Sequence, residues 1–294
     1  MKLGVVVVNR NDGYKDFERG IIHFKSMLDT FDEVTYIDWN SPSGSFLWEI
    51  KNQLPQTGKI KHFIIPQEIV SQIITDPNAQ KCNETLSRNI GIRRSNADWI
   101  VSTNIDIITP KREDLLSTIK NLNNNTFYTV SRREGPKDII YKYPHTEWEK
   151  IREELYQIIP ERHFPAMVTP NDRYSLINCC GDFQLASREV WHKIKGFEEN
   201  MIYACFADSN VQKKAVLNGF GLEVLYNPPL FHMEHGAYYT KEDGTRVSDS
   251  ENKGSFQGDS KAYNSAWDWV ETFNSSYNSE EWGWGNIDIE FEVF

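Results

Sequence analysis

Three acidic residues in this 294-residue chain stand where they could do chemistry: Asp38, Asp106 and Asp208. Asp106 lies in DWIVSTNIDIITP, Asp98 to Pro110. There an apolar run, Trp99 to Thr103, ends in Asn104, Ile105 and Asp106, Ile107 and Ile108 resume it, and Pro110 stops it. Side chains alternate along a strand with period two, so Asn104 and Asp106 point the same way. Ligands of open α/β sheets bind at the carboxyl ends of the strands. A carboxylate there can hold a hard divalent ion, and the ion a diphosphate. Polar residues end many strands without any such role, so the pair needs partners from elsewhere in the chain.

Asp208 precedes a helical pattern in FADSNVQKK. A helix cap is the plain explanation, but Ser209 and Gln212, three residues apart, already form a capping-box pair. That leaves Asp208 spare as a general base. Asp38 closes VTYID: it accepts from a ribose or a base, or it is an ordinary turn former with Asn40 and Ser41 ahead of Pro42. Trp39 beside it stacks on a base or caps the core. Arg88 and Asn89 sit mid-helix, where an arginine forks onto diphosphate oxygens or pairs with Asp98 or Glu84. His232 and His235 flank Glu234 in FHMEHG and are either polar surface or metal ligands. His232 joined to Asp106 would set one imidazole among oxygens, which suits Mn²⁺ somewhat better than Mg²⁺. Trp282, Gly283, Trp284 and Gly285 are a candidate sugar platform, although packing of the C-terminal segment onto the body explains most aromatics of the tail.

These residues need a scaffold that brings strand ends together. Leu3 to Val8 is a continuous β-branched run, the pattern of a strand covered on both faces. Phe17, Ile21, Phe24 and Leu28 recur at helical spacing. Strands are expected at 34–38, 61–65, 99–103, 127–130 and 222–226. Helices are expected around 69–74, 83–95, 115–122, 148–158 and 209–217, and an irregular stretch at 160–178. Strands alternating with helices over the first 110 residues call for a parallel, doubly wound sheet. The loop Asn9 to Gly13 holds one glycine, so neither a dinucleotide fingerprint nor a Walker-type phosphate loop is present.

A 39% hydrophobic share supports a sizeable core, and the aromatic share of 13% is high. From Ala237 onward twelve acidic residues face four basic ones, −8 of a total charge of −10. No basic stripe appears, which argues against nucleic acid as a partner. Cys82, Cys179, Cys180 and Cys205 show no CxxC spacing and read as reduced thiols. The apolar start, MKLGVVVVNR, is too short for a signal or membrane segment. A cytoplasmic protein is expected, with lipid-linked acceptors at a membrane face still open to it.

The order of the pieces resembles nucleotide-sugar glycosyltransferases of the GT-A fold, most closely the family-two-like inverting enzymes. The resemblance lies in LSRNIGIRRSNADWIVSTNIDIITP, GDFQLASREVWHKIKGFEE, Asp208 and LFHMEHG, and covers roughly residues 1–236. It implies an α/β fold with a mostly parallel, Rossmann-like sheet, a nucleotide-sugar-binding half at 1–110 and an acceptor-binding half at 111–236. Residues 237–294 would be an aromatic, acidic extension packed on that domain. The resemblance also implies that Asn104 and Asp106 stand for the DXD motif, with Asp106 a ligand of Mn²⁺ or Mg²⁺ under the donor diphosphate and His232 a second metal or diphosphate ligand. Asn9, Asp38, Arg88 and Asn89 fall on the donor side, Gly181, Asp182 and Trp191 on the acceptor side, and Asp208 on the catalytic base. The implied partners are a nucleoside-diphosphate-sugar and a glycan, glycolipid or glycoprotein acceptor. Asn104 replaces the first DXD acid, Trp39 an acid often found after the second strand, and Ala207 the acid that commonly precedes the base. A nucleotidyltransferase and an idle nucleotide- or carbohydrate-binding protein are the rival readings.

Overall fold

The structure is a computed structural model describing residues 1–11, 17–76, 79, 81–158, 163–164, 181–202, 207–233, 238–240, 246–248 and 278–294. Its strands are β1 (Leu3–Asn9), β2 (Glu33–Trp39), β3 (Ile60–Ile65), β4 (Trp99–Thr103), β5 (Ile107–Ile108), β6 (Thr126–Gly135), β7 (His163–Phe164), β8 (Phe183–Ser187), β9 (Gly221–Met233), β10 (Tyr238–Thr240), β11 (Arg246–Ser248) and β12 (Phe291–Val293). Its α-helices are α1 (Phe17–Thr30), α2 (Phe46–Ile50), α3 (Gln67–Ile73), α4 (Glu84–Arg94), α5 (Arg112–Ile119), α6 (Lys137–Ile140), α7 (Trp148–Gln157), α8 (Arg188–Lys193) and α9 (Ala207–Leu217).

One large sheet runs in the order β12-β3-β2-β1-β4-β8-β6-β9-β5, with β7 pairing on β6; β10 and β11 form a separate antiparallel pair. The expected parallel pairing holds for β3, β2, β1 and β4. Beyond β4 the expectation of a mostly parallel sheet holds only in part. β8 runs antiparallel between β4 and β6, β5 antiparallel to β9, and β12 antiparallel to β3, while β6 and β9 are parallel.

Both faces of the first strand are covered, as its unbroken apolar run requires. Leu3, Val5 and Val7 pack with Ile21 and Phe24 of α1 on one face. On the other, Val6 joins Ile92, Trp191, Val211 and Trp282, and Val8 joins Ile90, Trp39 and Trp284. The tryptophans near the C-terminus are therefore core residues of the second face. Trp282 and Trp284 are buried, and the two arginines ending α4 grip the backbone around them. Arg93 donates to the carbonyls of Glu280 and Trp282, and Arg94 to those of Gly283, Trp284 and Ile287. Gly283 has φ of 61°, and a Cβ there would meet the Asn89 carbonyl oxygen at 2.6 Å, so only glycine permits this approach. The expected sugar platform is thus a clamp. Trp267 and Trp269 lie outside the described residues.

At the amino ends of the strands, far in chain terms from Asp106, a buried carboxylate ties four elements together. Glu33 accepts from Lys2 Nζ at 2.7 Å, Lys61 Nζ at 2.9 Å, Ser95 Oγ at 2.7 Å and the Asn96 amide at 3.1 Å. Burial alone would raise its pKa, but the hydrogen bonds from Lys2, Ser95 and Lys61 bring it down to about 2. A carboxylate whose folded pKa is depressed stabilises the fold above its unfolded value, and the gain is lost as pH falls through the folded one. We expect a contribution on the order of 3 kcal/mol that disappears between about pH 4.5 and about pH 2. Urea unfolding across that window should show a steeper loss for the wild type than for Glu33→Gln; parallel curves would count against it.

Candidate functional site

Two antiparallel pairings assemble the polar edge. β8 pairs with β4 in the register Thr103↔Phe183, which sets Asp182 beside Asn104. The Thr103 hydroxyl donates to the Asp182 carbonyl at 2.7 Å and fixes that junction. β5 pairs with β9 in the register Ile107↔His232, and the Met233 amide donates to the Asp106 carbonyl at 2.8 Å. His232 thus lies inside β9, which runs on past the strand expected at 222–226, and its ring comes to Asp106.

His23 of α1 supports β5 from below. It is fully buried, and burial lowers its pKa to about 4, so the ring is neutral at physiological pH. Its Nδ1 lies 2.5 Å from the Ile107 carbonyl, which can only accept, so Nδ1 carries the hydrogen.

At the first end of the site, His232 Nε2 is 3.2 Å from Asp106 Oδ2, and its Nδ1 is 2.8 Å from Glu134 Oε2. Burial pulls the imidazole pKa down, but Asp106 and Glu134 more than offset it and hold it at about 9. Without a bound metal the ring is therefore an imidazolium bridging two carboxylates. The donor set also fits a divalent ion. Two cis ligands of an octahedral ion with bonds of about 2.1 Å lie about 3 Å apart, close to the 3.2 Å between Asp106 and His232. Glu134 would then orient the imidazole from its outer nitrogen, as carboxylates do behind metal-bound histidines. Among the described residues no three His, Cys, Asp or Glu side chains gather as a metal site. Asp106 and His232 would be the protein's share of the ligands.

A chain of contacts leads from there to Asp182, whose neighbour Gly181 lies against Asp208. Arg132 of β6 pairs with Glu134 through Nε at 3.1 Å and with Asp182 through Nη1. Asp182 also accepts from the Asn104 amide at 2.6 Å. Asn104 in turn accepts from Arg88 Nη2 at 2.6 Å, while Arg88 Nη1 donates to Ser102 Oγ at 2.8 Å and the Thr103 carbonyl at 3.1 Å. Asn104 must accept from a guanidinium and donate to a carboxylate, which only a carboxamide can do at both ends. An aspartate there would face Asp182 with like charge. Asn104 and Arg88 therefore shape the site from behind, with Arg88 also 3.4 Å from Glu84.

Asp208 opens α9, and its Oδ1 accepts from the Ser209 amide at 2.8 Å. Its neighbour across the gap is Gly181: a Cβ there would lie 2.4 Å from Asp208 Cβ and 2.9 Å from Oδ2. Burial raises the carboxyl pKa above its ordinary value, the Ser209 amide lowers it, and the negative charge of Asp182 raises it further. Asp38 lies beside Asn9 in the β1–β2 register. It is buried, and its Oδ2 has no hydrogen-bond partner among the described residues. A buried carboxylate oxygen without a donor is costly unless a ligand supplies one.

Several expected site residues face elsewhere. Asn89 is fully buried, with its amide on the Phe197 carbonyl at 2.8 Å and on Glu199 at 2.9 Å, and its oxygen accepting from the Phe197 amide at 2.7 Å. With its carboxamide committed to that turn, it has nothing left for a donor. Trp191 has no exposed surface; its indole donates to the Ile100 carbonyl at 3.0 Å and meets Phe127 edge-on at 4.9 Å. It is core, not acceptor surface. The capping box at Ser209 does not form, because α9 begins at Ala207 and Ser209 lies within it. His235, Cys179, Cys180, Cys205 and most of 160–178 lie outside the described residues. Arg132, Glu134 and His23 were not anticipated. The charged run RRE at 132–134 is the one signal for the first two, since it continues a strand expected to stop at Val130.

No protein-family model matches the chain, and no curated protein matches it. Solved structures overlap with it at low identity. S. aureus TarS has a TM-score of 0.49 and 13% identity over 80% of this chain and 37% of that one. TarS 1–349 from S. aureus has a TM-score of 0.49 and 15% identity over 79% and 60%. The mannosyltransferase PcManGT from Pyrobaculum calidifontis, in complex with GDP-Man and Mn²⁺, has a TM-score of 0.47 and 14% identity over 79% and 56%. The chain spans less than two thirds of each. Overlaps of this size leave function to be read from the residues themselves.

The Gly181–Asp208 approach can be probed directly. Gly181→Ala should cost about 1–3 kcal/mol by overpacking, read by urea unfolding, and should move the Asp208 carboxyl carbon resonance. An unperturbed resonance would mean that the Asp208 side chain does not lie against Gly181.

Proposed function

We propose that this protein moves a sugar from a nucleoside-diphosphate-sugar to an acceptor hydroxyl with inversion. The observation that supports this best is the polar chain joining Asp106 and His232 to Asp182 through Glu134 and Arg132, with Gly181, the residue before Asp182, lying against the Asp208 side chain. In this reading one end of the polar edge binds the cation and the other accepts the proton. That edge is where the GT-A resemblance of the sequence expects them.

In this reading Asn9 and Asp38 take the nucleoside, with the unpartnered Asp38 Oδ2 accepting from it. Asp106 and His232 would hold Mn²⁺ or Mg²⁺ under the diphosphate. When bound, such an ion offsets the charge that builds on the departing diphosphate. Asp208 accepts the proton of the acceptor hydroxyl as its oxygen bonds to the anomeric carbon and the bond to the diphosphate breaks on the opposite side. Burial and Asp182 make this carboxylate a stronger base than an ordinary one. Gly181, on the acceptor side, has no Cβ and so lets the Asp208 side chain come close. We assign residues 1–110 to donor binding, 111–236 to acceptor binding and 237–294 to an extension. No described helix is long and apolar enough to cross a membrane.

Asp208→Asn should keep donor binding and lose transfer by about 10²- to 10⁴-fold, measured as nucleoside diphosphate released in the presence of acceptor. Unchanged turnover would remove Asp208 from the role. Asp106→Ala should instead weaken donor binding and erase stimulation by Mn²⁺. Thermal melts against a panel of sugar nucleotides, with and without Mn²⁺, read this. A ligand at about 100 times its dissociation constant adds about 2.7 kcal/mol to the native state. Diphosphate release that needs an acceptor separates this reading from a nucleotidyltransferase or an idle binding protein.

A further inference from the structure

The GT-A resemblance assigns Asp182 to the acceptor, yet its side chain is turned inward and only 6% of the residue is exposed. Both carboxylate oxygens are engaged within the protein. Oδ1 accepts from Asn104 at 2.6 Å, and Oδ2 is paired with Arg132. Its carbonyl is held by the Thr103 hydroxyl at 2.7 Å. A residue so fully used has little to offer an incoming sugar. Its neighbour Gly181 lies against the Asp208 carboxylate, close enough that a Cβ would meet Oδ2 at 2.9 Å.

We propose that Asp182 is a positioning residue for the base at Asp208: a fixed negative charge, locked by Arg132 and Asn104, that tunes how readily Asp208 takes a proton. The inference rests on Asp208 being the base. Arg132 is the opposing control, because its guanidinium neutralises Asp182 on one side and Glu134 on the other. The charged groups that raise the Asp208 pKa include Asp182, before β8, and Glu84, at the start of α4; Arg132 of β6 is paired with Asp182. The Ser209 amide donates to Asp208 from its own helix, and Gln184 of β8 donates to its backbone carbonyl at 3.3 Å. Like charge nearby disfavours ionisation and opposite charge favours it. Removing Asp182's charge should therefore make Asp208 ionise more easily, and removing Arg132's charge should make it ionise less easily.

The two substitutions thus move one titration in opposite directions, which a loss of packing would not do. The test follows the Asp208 carboxyl carbon by NMR in ¹³C-aspartate-labelled protein, the resonance being assigned by its absence in Asp208→Asn. Asp182→Asn should lower the midpoint on the order of one pH unit, and Arg132→Gln should raise it by a similar amount. Arg132→Lys should restore most of the wild-type value. The measurement needs no substrate, and circular dichroism confirms that each variant is folded. If Asp182→Asn does not fold, the rise in Arg132→Gln and its reversal in Arg132→Lys still decide the matter. Coincident midpoints in all variants, or shifts of the same sign, would overturn the inference. Failure of the underlying reading shows differently: Asp208→Asn would keep full transfer, whatever the titrations show.

Discussion

Crowded negative charge is the constraint around which this sheet edge is built. Asp106, Glu134, Asp182, Asp208 and Glu84 converge there, and Arg88, Arg132 and His232 are threaded among them. Acids brought this close and half out of water repel one another unless cations intervene. Each of the three basic side chains touches at least two partners at this edge. The asparagine at 104 belongs to the same solution, since a carboxamide links a guanidinium to a carboxylate without adding charge.

The opposite edge shows the same chemistry used for a different end. Glu33 is saturated by two lysines, a serine and an amide, and has no opening toward a ligand. At the carboxyl edge, Asp38 keeps an oxygen without a partner among the described residues, and Asp208 lies against a glycine in place of a side chain. Saturation marks the edge that holds the strands together. Unfilled acceptor capacity and a missing side chain mark the edge proposed to hold a substrate.

The C-terminal segment completes the second face of the sheet. Trp282 and Trp284 fill the clusters under β1 and β2, and Arg93 and Arg94 hold the backbone between them. Those clusters also contain Val211 and Ala215 of the helix that carries Asp208 and Ile90 of the helix that carries Arg88. Residues nearly two hundred positions from Arg93 in sequence thus brace the helices that frame the site.

Local pattern was enough to determine much of this. The apolar run Leu3 to Val8, the helical recurrence from Phe17 to Leu28 and the strand Trp99 to Thr103 are each fixed by the burial of neighbouring side chains, which periodicity records. The same period placed Asn104 and Asp106 together at a strand end. Tertiary structure alone decided what they touch. The antiparallel insertion of β8 brought Asp182 to Asn104, and the β5–β9 register brought His232 to Asp106. It also buried Asn89 and Trp191 and made the WGWG tryptophans core residues. Pairing between distant strands depends on the whole sheet's order and register, and no local window of residues records it.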